Sequence, residues 1–165
     1  MDGVETDRLQ LRWTHGGPLT SAAVATGAFD ILHVGHLDLL AEAHRRGHRL
    51  VVGVESDARV RQWKGPSRPV NTEHDRARML AALRCVDAVF VIEGDPALVA
   101  WQDYLALLSP LAPPAMVITE GDPYTAQKQR ATAAMGAGLW QVRHRPHRST
   151  TAIVTRLEDG PPPDP

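Results

Sequence analysis

Apolar positions along the chain follow two rhythms. Continuous apolar runs at "AAVATGAF" (22–29), "RLVVGVES" (49–56), "DAVFVI" (87–92), "AMVIT" (115–119) and "LWQVR" (139–143) predict buried strands. Between them the spacing turns helical. Leu37, Leu40, Ala41 and His44 stand at i, i+3, i+4 and i+7, which predicts a helix over 36–46 that Gly47 stops. "DARVRQW" predicts a short helix and "KGPSRPVN" a loop. "TEHDRARMLAALRCV" predicts a helix capped by Thr72, with Glu73 and Asp75 in its first turn. "ALVAWQDYLALL" predicts a helix ended by Pro110, Pro113 and Pro114. "TAQKQRATAAMG" predicts one closed by Gly136, and "STTAIVTRLE" a last one. Strands alternating with helices give right-handed βαβ units. The predicted fold is therefore α/β: a Rossmann-like three-layer α/β/α arrangement around a five-stranded parallel sheet. Ligands on such sheets bind beyond the carboxyl ends of the strands, at the point where strand order reverses.

Length and composition narrow this picture. The 165 residues, 43% of them hydrophobic, suit one domain with a proper core. Residues 1–21 are polar and read as an N-terminal extension holding a short strand or helix, residues 22–158 as the domain, and 159–165 ("DGPPPDP") as a loose tail. A formal net charge of −1 argues against a nucleic-acid or membrane-surface binder. The single cysteine, Cys85, builds neither a disulfide framework nor a cysteine zinc site. The acidic start "MDGVETDRLQLRW" lacks the apolar core of a signal peptide, and no window approaches the ~18 apolar residues of a membrane span, so a cytoplasmic setting is expected.

The candidate chemistry sits where the first predicted strand hands over to a helix. "GAFDILHVGH" places His33 and His36 around Gly35. A triphosphate needs backbone N–H groups and a helix N-terminus. Gly27 permits a tight turn or close approach, and Gly35 leaves room beside the two rings. Two imidazole donors converging on one phosphate stabilise the charge that grows in a pentacoordinate transition state. "HRSTTAIV" (147–154) offers a second such start: the hydroxyls and backbone N–H groups of Ser149, Thr150 and Thr151 suit phosphate oxygens, and Arg148 adds positive charge. A lysine in a loop, Lys64 before Gly65-Pro66, reaches phosphates readily, with Arg68 four residues on.

"GAFDILHVGHLDLLAEAHRRG" resembles the signature of the cytidylyltransferase-like nucleotidyltransferases. "VESDARVRQWKGPSRPVNTEHDRARMLAALRCVDAVF" is similar to the heptose-phosphate adenylyltransferases among them, with glycerol-3-phosphate cytidylyltransferase also close in pattern. The resemblance covers about residues 22–155. It implies nucleotide binding along Gly27, Ala28, Phe29, Asp30 and Gly35, with Asp30 orienting a histidine or the metal shell. It implies that Lys64 contacts phosphates and that Arg76, or its neighbour Arg78, approaches nucleotide or acceptor. It likens residues 149–151 to the family's second signature, I-S-T-T-x-I. Magnesium carried on the triphosphate and a homodimer are further implications; no protein metal site is expected.

One segment departs from the pattern. Where the heptose enzymes carry V-K-G-G-D-Y, this chain has "VITEGDPY" (117–124). Asp122 keeps the acid, which is expected to reach ribose or base. Thr119 and Glu120 replace a lysine and a glycine, and Pro123 is added. The expected activity is therefore transfer of CMP or AMP from CTP or ATP to a small phosphate or phosphonate acceptor, with release of pyrophosphate. The acceptor is a heptose phosphate in the adenylyl version, or a polyol phosphate or phosphonate in the cytidylyl version. A non-catalytic nucleotide-binding regulator on the same fold is the alternative. A class I aminoacyl-tRNA synthetase is disfavoured by the short chain and by "RSTT" standing where a lysine-rich loop is needed. A flavodoxin-like redox domain is disfavoured because a flavin phosphate has no use for the histidine pair.

Overall fold

A computed structural model describes residues 8–144, 146 and 149–160. Six strands form one sheet in the order β1-β4-β3-β2-β5-β6. They are β1 (Gln10–His15), β2 (Ala23–Gly27), β3 (Leu50–Glu55), β4 (Ala88–Glu93), β5 (Ala115–Thr119) and β6 (Gly138–Val142). The five expected strands are all present and mutually parallel. The correction lies at the edge: residues 10–15, inside the expected extension, add a sixth strand antiparallel to β4, so the sheet is mixed. Its period-two alternation explains why it docks. Trp13 packs edge-on against Phe90 at 5.2 Å, while Arg12 turns outward to pair with Glu93 and Glu73.

Six α-helices cover the sheet: α1 (Val34–Arg45), α2 (Asp57–Lys64), α3 (Glu73–Ala81), α4 (Trp101–Leu108), α5 (Thr125–Met135) and α6 (Thr150–Asp159). Two buried clusters, one on each face, make the three layers. The core strands read as near-continuous apolar runs because both faces are covered: β3 is buried at all six positions. Local chemistry sets the boundaries. Thr72 caps α3 by accepting from the Asp75 N–H, and Gly47 (φ +76°) and Gly136 (φ +69°) adopt the left-handed conformation that ends α1 and α5. Two expected helices are shorter than their patterns. α3 gives way after Ala81 to successive three-residue turns, and α4 starts at Trp101, where the Ala100 N–H donates to Asp103. Of the expected tail, Asp159 closes α6 and Gly160 follows it; residues 161–165 lie outside the described residues. Among the described residues no helix is long and apolar enough to cross a membrane.

Because β2 is flanked by β3 on one side and β5 on the other, connections leave it in opposite directions. The switch point therefore lies at the carboxyl ends of β2 and β5. The H-x-G-H stretch follows the first of these strands and the "TEGDPY" loop follows the second.

Candidate active site

The turn after β2 sets up the histidines. The left-handed residue there is Phe29 (φ 49°) rather than Gly27. What glycine supplies at position 27 is space, since a Cβ would lie 3.3 Å from the Phe29 ring. That ring is buried and packs against His36, with centroids 5.3 Å apart. His33 is the N-cap of α1, and its Nδ1 accepts the Gly35 N–H at 3.1 Å. This bond places the proton of the neutral ring on Nε2, leaving that atom as a donor. His33 and His36 stack with centroids 3.8 Å apart and planes 26° from parallel. The two rings converge as the spacing predicts.

Two neutral imidazoles can stack this closely, but two cations resist it. Burial first, then the nearby His33 and Lys64, push His36 down to about 4. Burial also lowers His33. The Nδ1 of His36 is buried with no hydrogen-bond partner among the described residues. An orphaned buried polar atom of this kind calls for a ligand or water.

The start of α6 lies against this turn. Thr150 is buried, and its hydroxyl donates to the Ile31 carbonyl at 3.2 Å, tying together two segments more than a hundred residues apart. Ser149 is the N-cap, its Oγ accepting from the Ala152 N–H. Thr151 is exposed. Of the three expected phosphate hydroxyls, that of Thr150 therefore serves as the tie, Ser149 caps the helix, and Thr151 is exposed in its first turn. Arg148 lies outside the described residues.

Two further expectations are corrected. Asp30 is buried, and its partners among the described residues include no histidine. Its carboxylate accepts from the backbone of Val70 and Asn71 and from Arg68 Nε, all at 2.9 Å. Burial alone would raise its pKa, but the Asn71 and Val70 N–H groups and the Arg68 cation together hold it below the usual value. Arg76 likewise does not line the cavity beside Lys64. It is fully buried, and it donates to Asn71 O, Ala28 O and Asp57 Oδ1. Arg76 and Asp30 thus clamp the 68–71 loop and the Ala28 backbone from beneath. Arg68 keeps one buried donor, Nη2, without a partner, and Lys64 makes no hydrogen bond or ion pair among the described residues. Lys64 is held below its ordinary value by desolvation and then by the Arg68 and Arg76 cations, with Asp30 opposing.

Beside Lys64 opens a cavity of about 410 Å³ at the ends of β2, β3 and β5, bordered by Gly27, Ala28 and Asp122. Asp122 accepts from Lys128 Nζ and from the Tyr124 N–H, both at 2.7 Å. Glu120, exposed, does not line the cavity. The pattern reading missed the residues that shape it: Trp63, Trp101 and Tyr104 on its walls, and Glu55 at the end of β3. The one local signal was Trp63, directly before the expected site residue Lys64; Trp101, Tyr104 and Glu55 had none. Glu55 is buried and joined to Arg59 at 2.7 Å and to the Tyr104 hydroxyl at 2.7 Å. Burial raises its pKa against the pull of Arg59 and Tyr104.

The stacked histidine pair at the start of α1 and the start of α6, tied to Ile31, come together near the switch point. The chain belongs to the cytidylyltransferase-like family, whose model matches residues 24–156. It is 45% identical over 125 residues to the bifunctional protein HldE of Mesorhizobium japonicum, covering 76% of this chain and 23% of that protein. It is 39% identical over 136 residues to HldE of Syntrophotalea carbinolica, covering 81% and 26%. The chain thus spans about a quarter of the length of these curated relatives. Its fold matches a lipopolysaccharide core biosynthesis protein from Thermoplasma volcanium with a TM-score of 0.58 at 26% identity, over 74% of this chain and 94% of that one. A macrolide-efflux protein from Streptococcus pneumoniae shares the fold at a TM-score of 0.63 and 18% identity, over 84% and 51%.

Proposed function

We propose that the protein transfers an adenylyl or cytidylyl group from ATP or CTP to a small phosphate or phosphonate, with ATP favoured by the likeness to the HldE proteins and to heptose-phosphate adenylyltransferases. An ionised acceptor oxygen attacks the α-phosphorus. The new P–O bond forms as the bond to the β-phosphate oxygen breaks, and its electron pair leaves with pyrophosphate. A phosphate nucleophile at neutral pH needs neither a strong base nor a protein nucleophile, so catalysis reduces to positioning and charge stabilisation.

His33 donates from Nε2 and His36 from its unengaged ring to oxygens around the α-phosphate. Lys64 neutralises charge on the acceptor or the α-phosphate. The Ser149–Thr151 start of α6 receives the departing pyrophosphate, and the Thr150–Ile31 tie keeps that start in register with the histidines. Arg76 is a positioning residue that fixes the Ala28 carbonyl. No group of three or more acidic, histidine or cysteine side chains able to hold a metal occurs among the described residues, and both oxygens of Asp30 are engaged. A donor set of imidazoles, a lysine and a helix start suits magnesium carried by the triphosphate, where the ion would neutralise phosphate charge. A cytoplasmic homodimer completes the proposal.

The observation that carries it is the stacked pair at the start of α1: an uncharged His36 whose buried Nδ1 has no partner among the described residues. The test mixes protein, magnesium and each nucleoside triphosphate with a panel of phosphates and follows pyrophosphate. Release that depends on both substrates supports the proposal. Nucleotide binding by calorimetry with no release across the panel would establish the regulator instead.

A further inference from the structure

The cavity beside Lys64 has an uneven character. Its Lys64 end adjoins Gly27 and Ala28, and the lysine charge is felt at His36, so this end belongs to the phosphate site. Its apolar and aromatic lining is Trp63, Val99, Trp101, Tyr104, Met116 and Ala131. Several of the polar groups near them are paired with one another. Glu55 accepts from Arg59 and from Tyr104, the Tyr104 oxygen in turn accepts from Arg59 at 2.9 Å, and Asp122 is taken by Lys128 and the Tyr124 N–H. The Arg59 guanidinium also lies 4.8 Å from the Trp63 ring, holding that wall in place. Each hydroxyl of a polyol or heptose buried here needs a partner, and a donor or acceptor left without one weakens binding. The side chains of Thr26 and Gln127, the Tyr124 hydroxyl and the Trp101 indole N–H are left to supply one, between walls that are otherwise mainly apolar or aromatic.

From this we infer that the cavity holds the acceptor, and that the acceptor is a phosphate monoester or phosphonate whose carbon body is apolar or aromatic rather than polyhydroxylated. The inference rests on the nucleotidyl-transfer reading for its reaction, but the cavity's preference is testable separately. The phosphate sits at Lys64, next to the histidines, and the body fills the space between the two tryptophans.

The test compares phenyl phosphate and hexyl phosphate with heptose phosphate and glycerol-3-phosphate, reading pyrophosphate release with ATP and magnesium, and quenching of tryptophan fluorescence without ATP. The apolar pair is expected to exceed the polyhydroxylated pair in kcat/KM by about tenfold or more. Trp101→Ala is expected to erase that difference while leaving KM for ATP unchanged. Val99→Gln, at a rim position 40% exposed and so without consequence for folding, is expected to narrow it several-fold. A polyhydroxylated acceptor equal to or better than the apolar pair overturns the inference and leaves the nucleotidyl-transfer reading standing. Quenching by ATP alone that Trp101→Ala abolishes also overturns it, because the cavity then holds the base. If no acceptor yields pyrophosphate, that reading fails. Phenyl phosphate quenching that Trp101→Ala removes then still supports the apolar preference, and its absence overturns it.

Discussion

Arg76 and Lys64 are both cations at the carboxyl edge of the sheet, and the structure treats them in opposite ways. Arg76 is fully buried and bonded to three oxygens from three segments. Lys64, twelve residues earlier, stands at a cavity rim with no protein partner among the described residues. The same contrast separates Asp30, whose carboxylate is filled, from His36, whose Nδ1 is buried and unpartnered. Closed networks hold the frame of this site, and open donors are where a substrate fits. Residue type alone does not distinguish the two, because an arginine and a lysine near a phosphate site look equally catalytic in a sequence.

Breaking the closed side should unfold, and breaking the open side should silence. The largest effect is expected from Arg76→Met. It leaves the partly exposed Asp57 carboxylate, Ala28 O and Asn71 O without their donor, and losing these three bonds to a buried guanidinium costs about 3–5 kcal/mol. Urea denaturation reads this as a lower midpoint with an unchanged slope. Equal stability with lost activity would return Arg76 to the ligand side of the comparison. His36→Ala is expected to do the reverse: kcat falls by roughly 10²–10³, as when a preorganised donor is removed, while the folded state persists. Near-wild-type turnover would remove the histidine pair from the mechanism.

Legibility in the sequence follows the same division. The five parallel strands and the convergence of His33 and His36 were readable because each depends on local periodicity or on a short motif, while α1 begins at Val34, two residues before the expected start. β1 was harder. Leu11 and Trp13 alternate with polar residues, but only pairing with β4 turns that into a strand, and pairing is non-local. The role of Arg76 was unreadable for a related reason. Its partners Ala28, Asp57 and Asn71 come from three segments that only the fold brings together. The aromatic cavity was hidden likewise, because Trp63, Trp101 and Met116 share no spacing. Thr150 shows a motif half understood: position 150 belongs to the site, but its hydroxyl holds the fold.

Protonation tests the open side without a substitution. The unfolded value of a histidine is 6.5, and that of His36 in the folded protein is about 4. Between these values the unfolded chain binds a proton that the folded protein refuses, so stability falls as pH drops through this window and is fully present above it. The loss amounts to at most about 3 kcal/mol. Subtracting the pH profile of His36→Gln cancels the contributions of Asp30 and Glu55 and leaves the histidine. A bound triphosphate supplies negative charge at the same spot, so it should move the His36 midpoint upward in an NMR titration. A midpoint near 6.5 in the free protein, unmoved by nucleotide, would place His36 outside the phosphate site.

The smallest effect bears most directly on the boundary between frame and chemistry, because Thr150 belongs to both. Thr150→Val keeps the side-chain shape and deletes the hydroxyl that reaches Ile31 O. The lost hydrogen bond is expected to cost about 1 kcal/mol of stability. If the tie also keeps the start of α6 in register with His33 and His36, KM for the nucleotide should rise several-fold more than the stability change alone explains. Thr151→Val, which removes an exposed hydroxyl with no role in the tie, should leave the denaturation midpoint unchanged and alter only nucleotide affinity. Identical behaviour of the two variants in both assays would mean that position 150 is not the hinge between the two halves of the phosphate grip, and that the helix start holds its place by packing alone.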